Sequence, residues 1–200
     1  MKEFWNKRFE EKEFVYGIKP NVFFKSELDK IKNKGNALFP LEGEGRNACY
    51  AAQLGWKVDA FDFSETGKQK ALKLCDANGI SINYEVSKVE EYVIEKDTYD
   101  LVVLVFAHLD LENRTLFHKK AINSLKPGGK IIIEAFHPKQ LENNYPSGGP
   151  KNKDLLYTLT QLKDDFKALS KSDGSELEID LAEGDYHYGK AYVTRFVGTK

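Results

Sequence analysis

Two glycines and one carboxylate are the residues of this 200-residue chain whose types and spacing suggest a binding site. Gly43 and Gly45 lie in a turn, where a residue without a side chain lets the backbone approach a ligand closely. Asp62 follows about twenty residues later, the spacing at which a carboxylate accepts hydrogen bonds from a ribose diol in nucleotide-binding folds. The combination predicts a nucleoside ligand. The alternative is a tight turn without a ligand, with Asp62 or Ser64 capping the next helix.

The surrounding sequence predicts the elements that would position these residues. Residues 37–41 form an apolar run, residues 48–54 repeat alanine and leucine at helical spacing, and residues 56–61 are again apolar, β-branched or aromatic. The order is therefore strand, glycine loop, helix, strand. In an open parallel sheet this unit places the loop and the end of its second strand side by side, at the edge where ligands bind.

The rest of the chain predicts a single α/β domain over residues 1–200. The expected fold is Rossmann-like and doubly wound, a mostly parallel seven-stranded sheet with an antiparallel C-terminal edge hairpin and helices on both faces. Residues 1–35 would form an N-terminal helical cover, in which Asn21 is the N-cap of a helix that stops at Gly35. Residues 125–129 would form a turn, and residues 139–154 an insertion, a mobile lid or a substrate loop. The seven strands are expected at residues 37–41, 56–61, 80–86, 99–106, 130–136, 176–182 and 191–197.

Composition favours a small-molecule partner. The formal net charge is -1, which supplies no global field for nucleic acid, and no apolar run is long enough to span a membrane. The first residues are too polar for a signal peptide, so we expect a cytoplasmic protein, a monomer or homodimer. Cys49 and Cys75 have no metal-type spacing, and we expect buried reduced thiols rather than a disulfide or a metal site.

Four segments resemble the class I S-adenosylmethionine-dependent methyltransferases. They are the glycine loop LEGEGRNA, the acidic strand end FDFS, the apolar strand YDLVVLVFAHL and the turn LKPGG. Within that class the chain is most similar to the tellurite-resistance and thiopurine methyltransferase-like group. The opening WNKRFEEKEFVYGIKPNVFF and the pattern GEGRNAxYxAxxGWxVxAxDxS carry that similarity, which covers nearly the whole chain up to the closing hairpin.

The resemblance implies S-adenosyl-L-methionine as cofactor and S-adenosyl-L-homocysteine as product. By position it implies a methionine-lining loop, a ribose-binding carboxylate, an adenine border and an N-terminal cover, with cofactor-binding residues Glu42, Gly43, Glu44, Gly45, Arg46, Asn47, Asp62, Phe63, Ser64, Ser87, Lys88, Val89, Phe106, Tyr16, Pro20 and Asn21. The chain departs from the pattern where Phe39 replaces an acidic residue, Leu41 replaces the first loop glycine and Ser87 replaces an acidic residue. Glu42 or Glu44 would then supply the negative charge for the cofactor's ammonium group.

Methyl transfer is an in-line displacement for which the cofactor carries the activated carbon, so no metal is required. A thiol or chalcogen oxyanion acceptor needs no strong base. For an oxygen or nitrogen acceptor, the candidate groups are His108, His137, His187 and Tyr16, of which His108 and Tyr16 are our predicted catalytic residues.

Two alternatives remain open from the sequence. A nicotinamide-dependent oxidoreductase would need a third glycine where the loop enters the helix, and residues 46–48 read Arg, Asn, Ala. The other alternative is a non-catalytic cofactor-binding or partner-binding protein on the same fold.

Overall fold

Alternating strands and helices build one sheet in the computed structural model, which describes residues 2–11 and 13–200. The strands are β1 (Asn36–Pro40), β2 (Lys57–Asp62), β3 (Asn83–Val86), β4 (Tyr99–Val105), β5 (Leu125–Phe136), β6 (Lys171–Ala182) and β7 (Tyr188–Thr199). The α-helices are α1 (Lys2–Glu10), α2 (Val22–Leu28), α3 (Arg46–Gln53), α4 (Glu65–Ala77), α5 (Leu111–Ser124), α6 (Lys139–Glu142) and α7 (Leu159–Asp165). A short 3-10 helix covers Lys153–Leu155.

The sheet has the strand order β3-β2-β1-β4-β5-β7-β6. Strands β1 to β5 pair in parallel, whereas β7 runs antiparallel to both β5 and β6. This confirms the predicted fold class, including the antiparallel C-terminal hairpin at one edge. Parallel strands need crossover connections, and the helices that supply them cover both faces of the sheet.

Strand β4 is buried from both sides, as its nearly continuous apolar sequence predicts. Val102 and Leu104 belong to the core cluster on one face of the sheet, and Leu101 and Val103 belong to the cluster on the other. Side chains alternate across a strand, so a strand covered on both faces needs apolar residues at every position. The carboxyl end of β4 is therefore held rigidly between two packed layers.

Several predicted element bounds are wrong. Helix α2 ends at Leu28 rather than continuing towards Gly35, and β3 begins at Asn83 rather than at residue 80. Residues 125–129, predicted as a turn, belong to β5, where the register with β4 shifts between Tyr99 and Leu101 and Gly128 donates its N–H to the Lys200 carbonyl. The C-terminal residue thus pairs with a segment that local sequence marks as a turn.

The prediction of reduced thiols is also wrong. Cys49 on α3 and Cys75 on α4 form a disulfide, with their Cα atoms 5.4 Å apart. The two helices approach closely because Gly45, at the start of α3, has no side chain: a Cβ there would lie 2.4 Å from the Ala71 Cβ. That approach is a tertiary contact between residues 26 positions apart, so cysteine spacing alone does not indicate it.

Candidate functional site

The loop between β1 and α3 has a backbone shape that the two glycines allow and Leu41 resists. Gly43 and Gly45 have φ angles of 60° and 81°, and Leu41 has a φ of 53°. A left-handed conformation costs a residue with a Cβ roughly 1 to 2 kcal/mol. Leu41 therefore keeps the backbone conformation expected of the glycine that it replaces, and such strained positions concentrate at functional sites.

Glu42 stabilises the start of α3. Its Oε1 accepts hydrogen bonds from the backbone N–H groups of Asn47 and Ala48, at 2.9 and 2.8 Å. These N–H groups lie in the first turn of the helix and have no partner within it. The carboxylate thus acts as a cap from inside the loop, while its other oxygen remains available to a ligand.

Asp62 bridges the glycine loop and the end of β2. Its Oδ2 accepts a hydrogen bond from the Gly43 N–H at 3.3 Å, and its Oδ1 accepts one from the Ser64 N–H at 2.8 Å. Ser64, not Asp62, is the N-cap of α4, because the Ser64 hydroxyl accepts from the Gly67 N–H. The capping alternative for Asp62 is therefore wrong, and its carboxylate keeps lone pairs for donors such as ribose hydroxyls.

Burial makes both carboxylates costly to ionise. Desolvation raises the pKa of Asp62 to about 6 and that of Glu42 to about 7, although backbone hydrogen bonds and, for Glu42, the charge of Arg46 act in the opposite direction. Glu44 differs, since its carboxylate forms an ion pair with Lys70 at 2.9 Å. A cationic ligand bound beside Asp62 and Glu42 would favour their ionised forms.

The N-terminal segment lies against this loop. The Phe9 ring is buried so close to the loop that a Cβ on Gly43 would lie 3.0 Å from it, and Asn6 accepts a hydrogen bond from the Ser64 hydroxyl at 2.5 Å. The Glu44 carboxylate accepts hydrogen bonds from the backbone N–H groups of Val15 and Tyr16. Residues from α1 and from the following loop thus approach both sides of the site.

The predicted adenine border lies at the ends of β2 and β3. The Ser87 N–H donates to the Asp62 carbonyl at 3.0 Å, which places these two strand ends side by side. Phe63 is half-buried, Val89 packs in the core, and the exposed Lys88 pairs with Glu91 at 2.9 Å.

An aromatic cluster surrounds His187 at the carboxyl end of β4. The His187 ring centroid lies 4.5 Å from that of Tyr16, 4.6 Å from that of Phe106 and 5.3 Å from that of Phe136. Phe106 directly follows β4 and has a φ of 52°, another left-handed residue with a side chain. The cluster joins the N-terminal segment, the end of β4 and the turn of the C-terminal hairpin.

His108 has backbone partners at both ring nitrogens. Its Nδ1 lies 2.6 Å from the Leu155 carbonyl, and its Nε2 accepts from the Phe136 N–H at 3.3 Å. Burial lowers its pKa to about 4. These contacts hold the loop after β4 in place, and a catalytic role for His108 stays a prediction.

A buried polar network connects Asn21 to the C-terminal hairpin. The Asn21 amide donates to Glu134 at 2.8 Å and to Glu183 at 2.9 Å, and Arg46 forms a 2.6 Å ion pair with Glu183. The Asn21 backbone N–H donates to the Asn47 side chain at 2.9 Å. Pro20 is half-buried beside it. Sequence reasoning missed Glu134 and Glu183, whose partners lie far away in the chain.

Residues 42–129 match the family described as "Methyltransferase domain". The match makes this segment, 88 of the 200 residues, similar to methyltransferase domains. Ubiquinone biosynthesis O-methyltransferase of Rickettsia conorii is 30% identical over 56% of this chain and 39% of its own length. The enzyme of the same name from Rickettsia felis is 28% identical over 55% of this chain and 47% of its own length. The chain therefore spans less than half the length of these curated relatives.

Solved structures share the fold of this chain at low sequence identity. A structure concerned with conversion of a disulfide bond into a thioacetal group during echinomycin biosynthesis aligns with a TM-score of 0.77 at 17% identity, over 100% of this chain and 91% of that one. TehB from Haemophilus influenzae aligns with a TM-score of 0.69 at 16% identity, over 100% of this chain and 66% of that one. Haemonchus contortus phosphoethanolamine N-methyltransferase 2, solved with S-adenosylhomocysteine, aligns with a TM-score of 0.70 at 16% identity. That alignment covers 98% of this chain and 56% of that one.

The loop after β1 and the end of β2 offer acceptors that would fit S-adenosylmethionine. A sulfonium with an ammonium group is cationic, and Glu42 and Asp62 are buried carboxylates with spare lone pairs beside a backbone that approaches closely at Gly43. Within residues 2–11 and 13–200, no group of three or more His, Cys, Asp or Glu residues is arranged to hold a metal ion. None of the described helices is both long and apolar enough to cross a membrane.

Proposed function

We propose that this protein transfers a methyl group from S-adenosylmethionine to a small-molecule acceptor by in-line displacement. The observation that carries the proposal is the pair of buried carboxylates, Asp62 and Glu42, close to Gly43 in the segment that matches the methyltransferase family. A cationic cofactor with a ribose diol would supply the charge and the hydrogen-bond donors that both groups lack after burial.

The proposed binding mode assigns a part of the cofactor to each element. Asp62 would accept the ribose hydroxyls, Phe63 and Ser87 would border the adenine, and the loop at Gly43 would hold the methionine part. Glu42 is a better acceptor for the ammonium group than Glu44, because the charge of Glu44 is already paired with Lys70. The bound cofactor supplies an electrophilic methyl carbon, and the protein orients it.

The acceptor class has two sources of support. The resemblance to the tellurite-resistance and thiopurine methyltransferase-like group favours a thiol or a chalcogen oxyanion, and TehB from Haemophilus influenzae is one of the structural neighbours. The curated relatives are O-methyltransferases, which favours an oxygen acceptor.

We also propose that the protein works in the cytoplasm as a monomer or homodimer. Light scattering of the purified chain would test the oligomeric state.

Calorimetric titration tests the proposal directly. We expect saturable binding of S-adenosylmethionine and S-adenosylhomocysteine and none of NADH, because residues 46–48 lack the glycine of a nicotinamide site. Release of S-adenosylhomocysteine in the presence of thiols, phenols and chalcogen oxyanions would then separate an enzyme from a non-catalytic cofactor-binding protein. Failure of both adenosyl ligands to bind would refute the cofactor assignment.

A further inference from the structure

The conformation of the glycine loop at Gly43 is not fixed by its own sequence. Glycine adopts left-handed and right-handed conformations at similar cost, so the φ of 60° at Gly43 has no strong intrinsic preference. Leu41, two residues earlier, has a φ of 53°, which is unfavourable for a residue with a Cβ. The loop would relax if it were left alone, so contacts from other elements must hold it.

Three backbone N–H groups of the loop form only long hydrogen bonds. The Glu42 N–H donates to the Phe61 carbonyl at 3.2 Å, and the Gly45 N–H donates to the Glu42 carbonyl at 3.3 Å. The Gly43 N–H donates to Oδ2 of Asp62 at 3.3 Å. Since N–H···O distances in proteins are most often about 2.9 to 3.0 Å, these bonds are weaker than average.

The Tyr84 hydroxyl supplies a shorter contact from β3. It donates to the Gly43 carbonyl at 2.7 Å, a usual distance for an O–H···O hydrogen bond. Tyr84 is 5% exposed, packs in a core cluster and lies opposite Ala60 in the pairing of β2 with β3. Burial and the charges of nearby carboxylates, including Asp62 and Glu42, raise the pKa of Tyr84. The hydroxyl therefore keeps its proton and remains a donor.

Helix α4 contacts the same carbonyl. A Cβ on Gly67 would lie 2.9 Å from the Gly43 oxygen, so a methyl group there would push against it. The first turn of α4 is held by the Ser64 hydroxyl, which accepts from the Gly67 N–H. Because a peptide unit is planar, fixing the Gly43 carbonyl also fixes the direction of the Glu44 N–H. Strand β3 and helix α4 thus set the orientation of one peptide unit in the loop.

We infer that Tyr84 is a positioning residue for cofactor binding, whose hydroxyl holds the peptide that follows Gly43 in the binding conformation. This inference rests on the proposed methyltransferase function and adds a residue outside the segments that resemble methyltransferases. Asp62 bonds to the N–H of Gly43 and Tyr84 bonds to its carbonyl, so two strands hold the two ends of one residue. Without the hydroxyl, the loop populates other conformations, and the apparent affinity for a ligand falls with the fraction that remains competent.

The Tyr84→Phe variant of the full chain tests the inference, because it keeps the ring and removes only the hydroxyl. In calorimetric titration we expect the Kd for S-adenosylhomocysteine to rise about tenfold, since an unsatisfied buried carbonyl no longer favours one loop conformation. Without ligand, the amide hydrogens of Gly43 and Gly45 should exchange with solvent about tenfold faster. This second measurement needs no cofactor.

The matched control is Tyr99→Phe. The Tyr99 side chain is also 5% exposed, and its hydroxyl donates to Oδ2 of Asp59 at 2.9 Å. Tyr99 begins β4, at the opposite end of the sheet from the loop. Both variants should unfold at lower urea concentration, but Tyr99→Phe should keep the affinity for S-adenosylhomocysteine and the slow exchange of the loop amides. A merely structural role for Tyr84 would leave the affinity unchanged in both variants.

A second variant reaches the same carbonyl from α4. Gly67→Ala should also raise the Kd for S-adenosylhomocysteine, because its methyl group displaces the Gly43 carbonyl. In the double variant with Tyr84→Phe, the loss should be smaller than the product of the two single losses, because both changes act on one peptide unit. An unchanged Kd in Tyr84→Phe, or losses that multiply in the double variant, would overturn the inference. Absence of binding by the unsubstituted protein would instead refute the proposed function.

Discussion

Asp62 is the residue whose replacement tests the cofactor site most directly. Asp62→Asn keeps the size of the side chain but removes the charge and one acceptor oxygen. We expect S-adenosylmethionine affinity to fall by about 1 to 3 kcal/mol, because charge-assisted hydrogen bonds to the ribose would be lost. Calorimetric titration measures this, with Asp59→Asn on the same strand as the control. Unchanged affinity would remove Asp62 from the site.

The raised pKa of Asp62 also predicts how stability depends on pH. In the unfolded chain this group loses its proton near pH 4, and in the folded protein it does so at about pH 6. Between these values the folded state binds more protons, so the contribution of Asp62 to the free energy of unfolding falls as pH rises. From about pH 4 to about pH 7, Asp62→Asn should therefore gain about 1 to 3 kcal/mol relative to the unsubstituted protein. Urea unfolding at several pH values measures the difference, and parallel pH curves would contradict the assignment.

Cofactor affinity should depend on pH in the opposite sense. Binding of a cation favours the ionised forms of Asp62 and Glu42, whose pKa values are about 6 and about 7. Each group that is protonated in the free protein must lose its proton on binding. Affinity should therefore rise by up to about a hundredfold per pH unit below about pH 6 and by up to about tenfold per pH unit between about pH 6 and about pH 7, and level off above about pH 8. Titrations in buffers of different ionisation heat would also detect the released proton. A flat profile from about pH 5 to about pH 8 would mean that neither carboxylate contacts the cofactor.

At the scale of elements, the disulfide between α3 and α4 predicts how the protein reacts with a thiol reagent. When the protein is denatured without a reductant, no thiol should react with the reagent. After reduction, two thiols should react. Cys49→Ala with Cys75→Ala should lower the free energy of unfolding by about 2 to 4 kcal/mol, because the unfolded chain regains the freedom of the closed loop. Cofactor affinity should change little, since Glu42 still caps α3. Two reactive thiols in the unreduced protein would contradict the link.

The elements around the glycine loop could be predicted from sequence because their signals are local. The apolar run of β4, the glycines of the loop and the Ser64 cap each act through residues a few positions apart. The disulfide, the bulged start of β5 and the contact of Phe9 with Gly43 could not, because each depends on how separate elements pack. His187 was one of four candidate groups in the sequence, and its position beside Tyr16 and Phe106 depends on contacts between residues far apart in the chain.

At the scale of the whole molecule, buried charges connect the N-terminal segment, the sheet and the C-terminal hairpin. Glu134 on β5 is 1% exposed, pairs with Arg195 directly opposite on β7 at 2.5 Å, and accepts from Asn21. Three segments that are distant in sequence thus share one carboxylate. A buried carboxylate of this kind does little for net stability compared with an apolar core, but its partners depend on it.

Replacing one partner of this pair should therefore cost more than replacing both. Glu134→Leu leaves Arg195 without its carboxylate and removes one of the two acceptors of the Asn21 amide. We expect the free energy of unfolding to fall by about 3 to 5 kcal/mol. Adding Arg195→Met should recover much of that loss, because no uncompensated charge remains. Glu178→Gln, in an exposed pair with Lys190 on the same hairpin, should have almost no effect. Urea unfolding of these three variants and of Arg195→Met alone measures the coupling. Additive effects of the two buried changes would show that Glu134 and Arg195 stabilise the hairpin independently rather than as one unit.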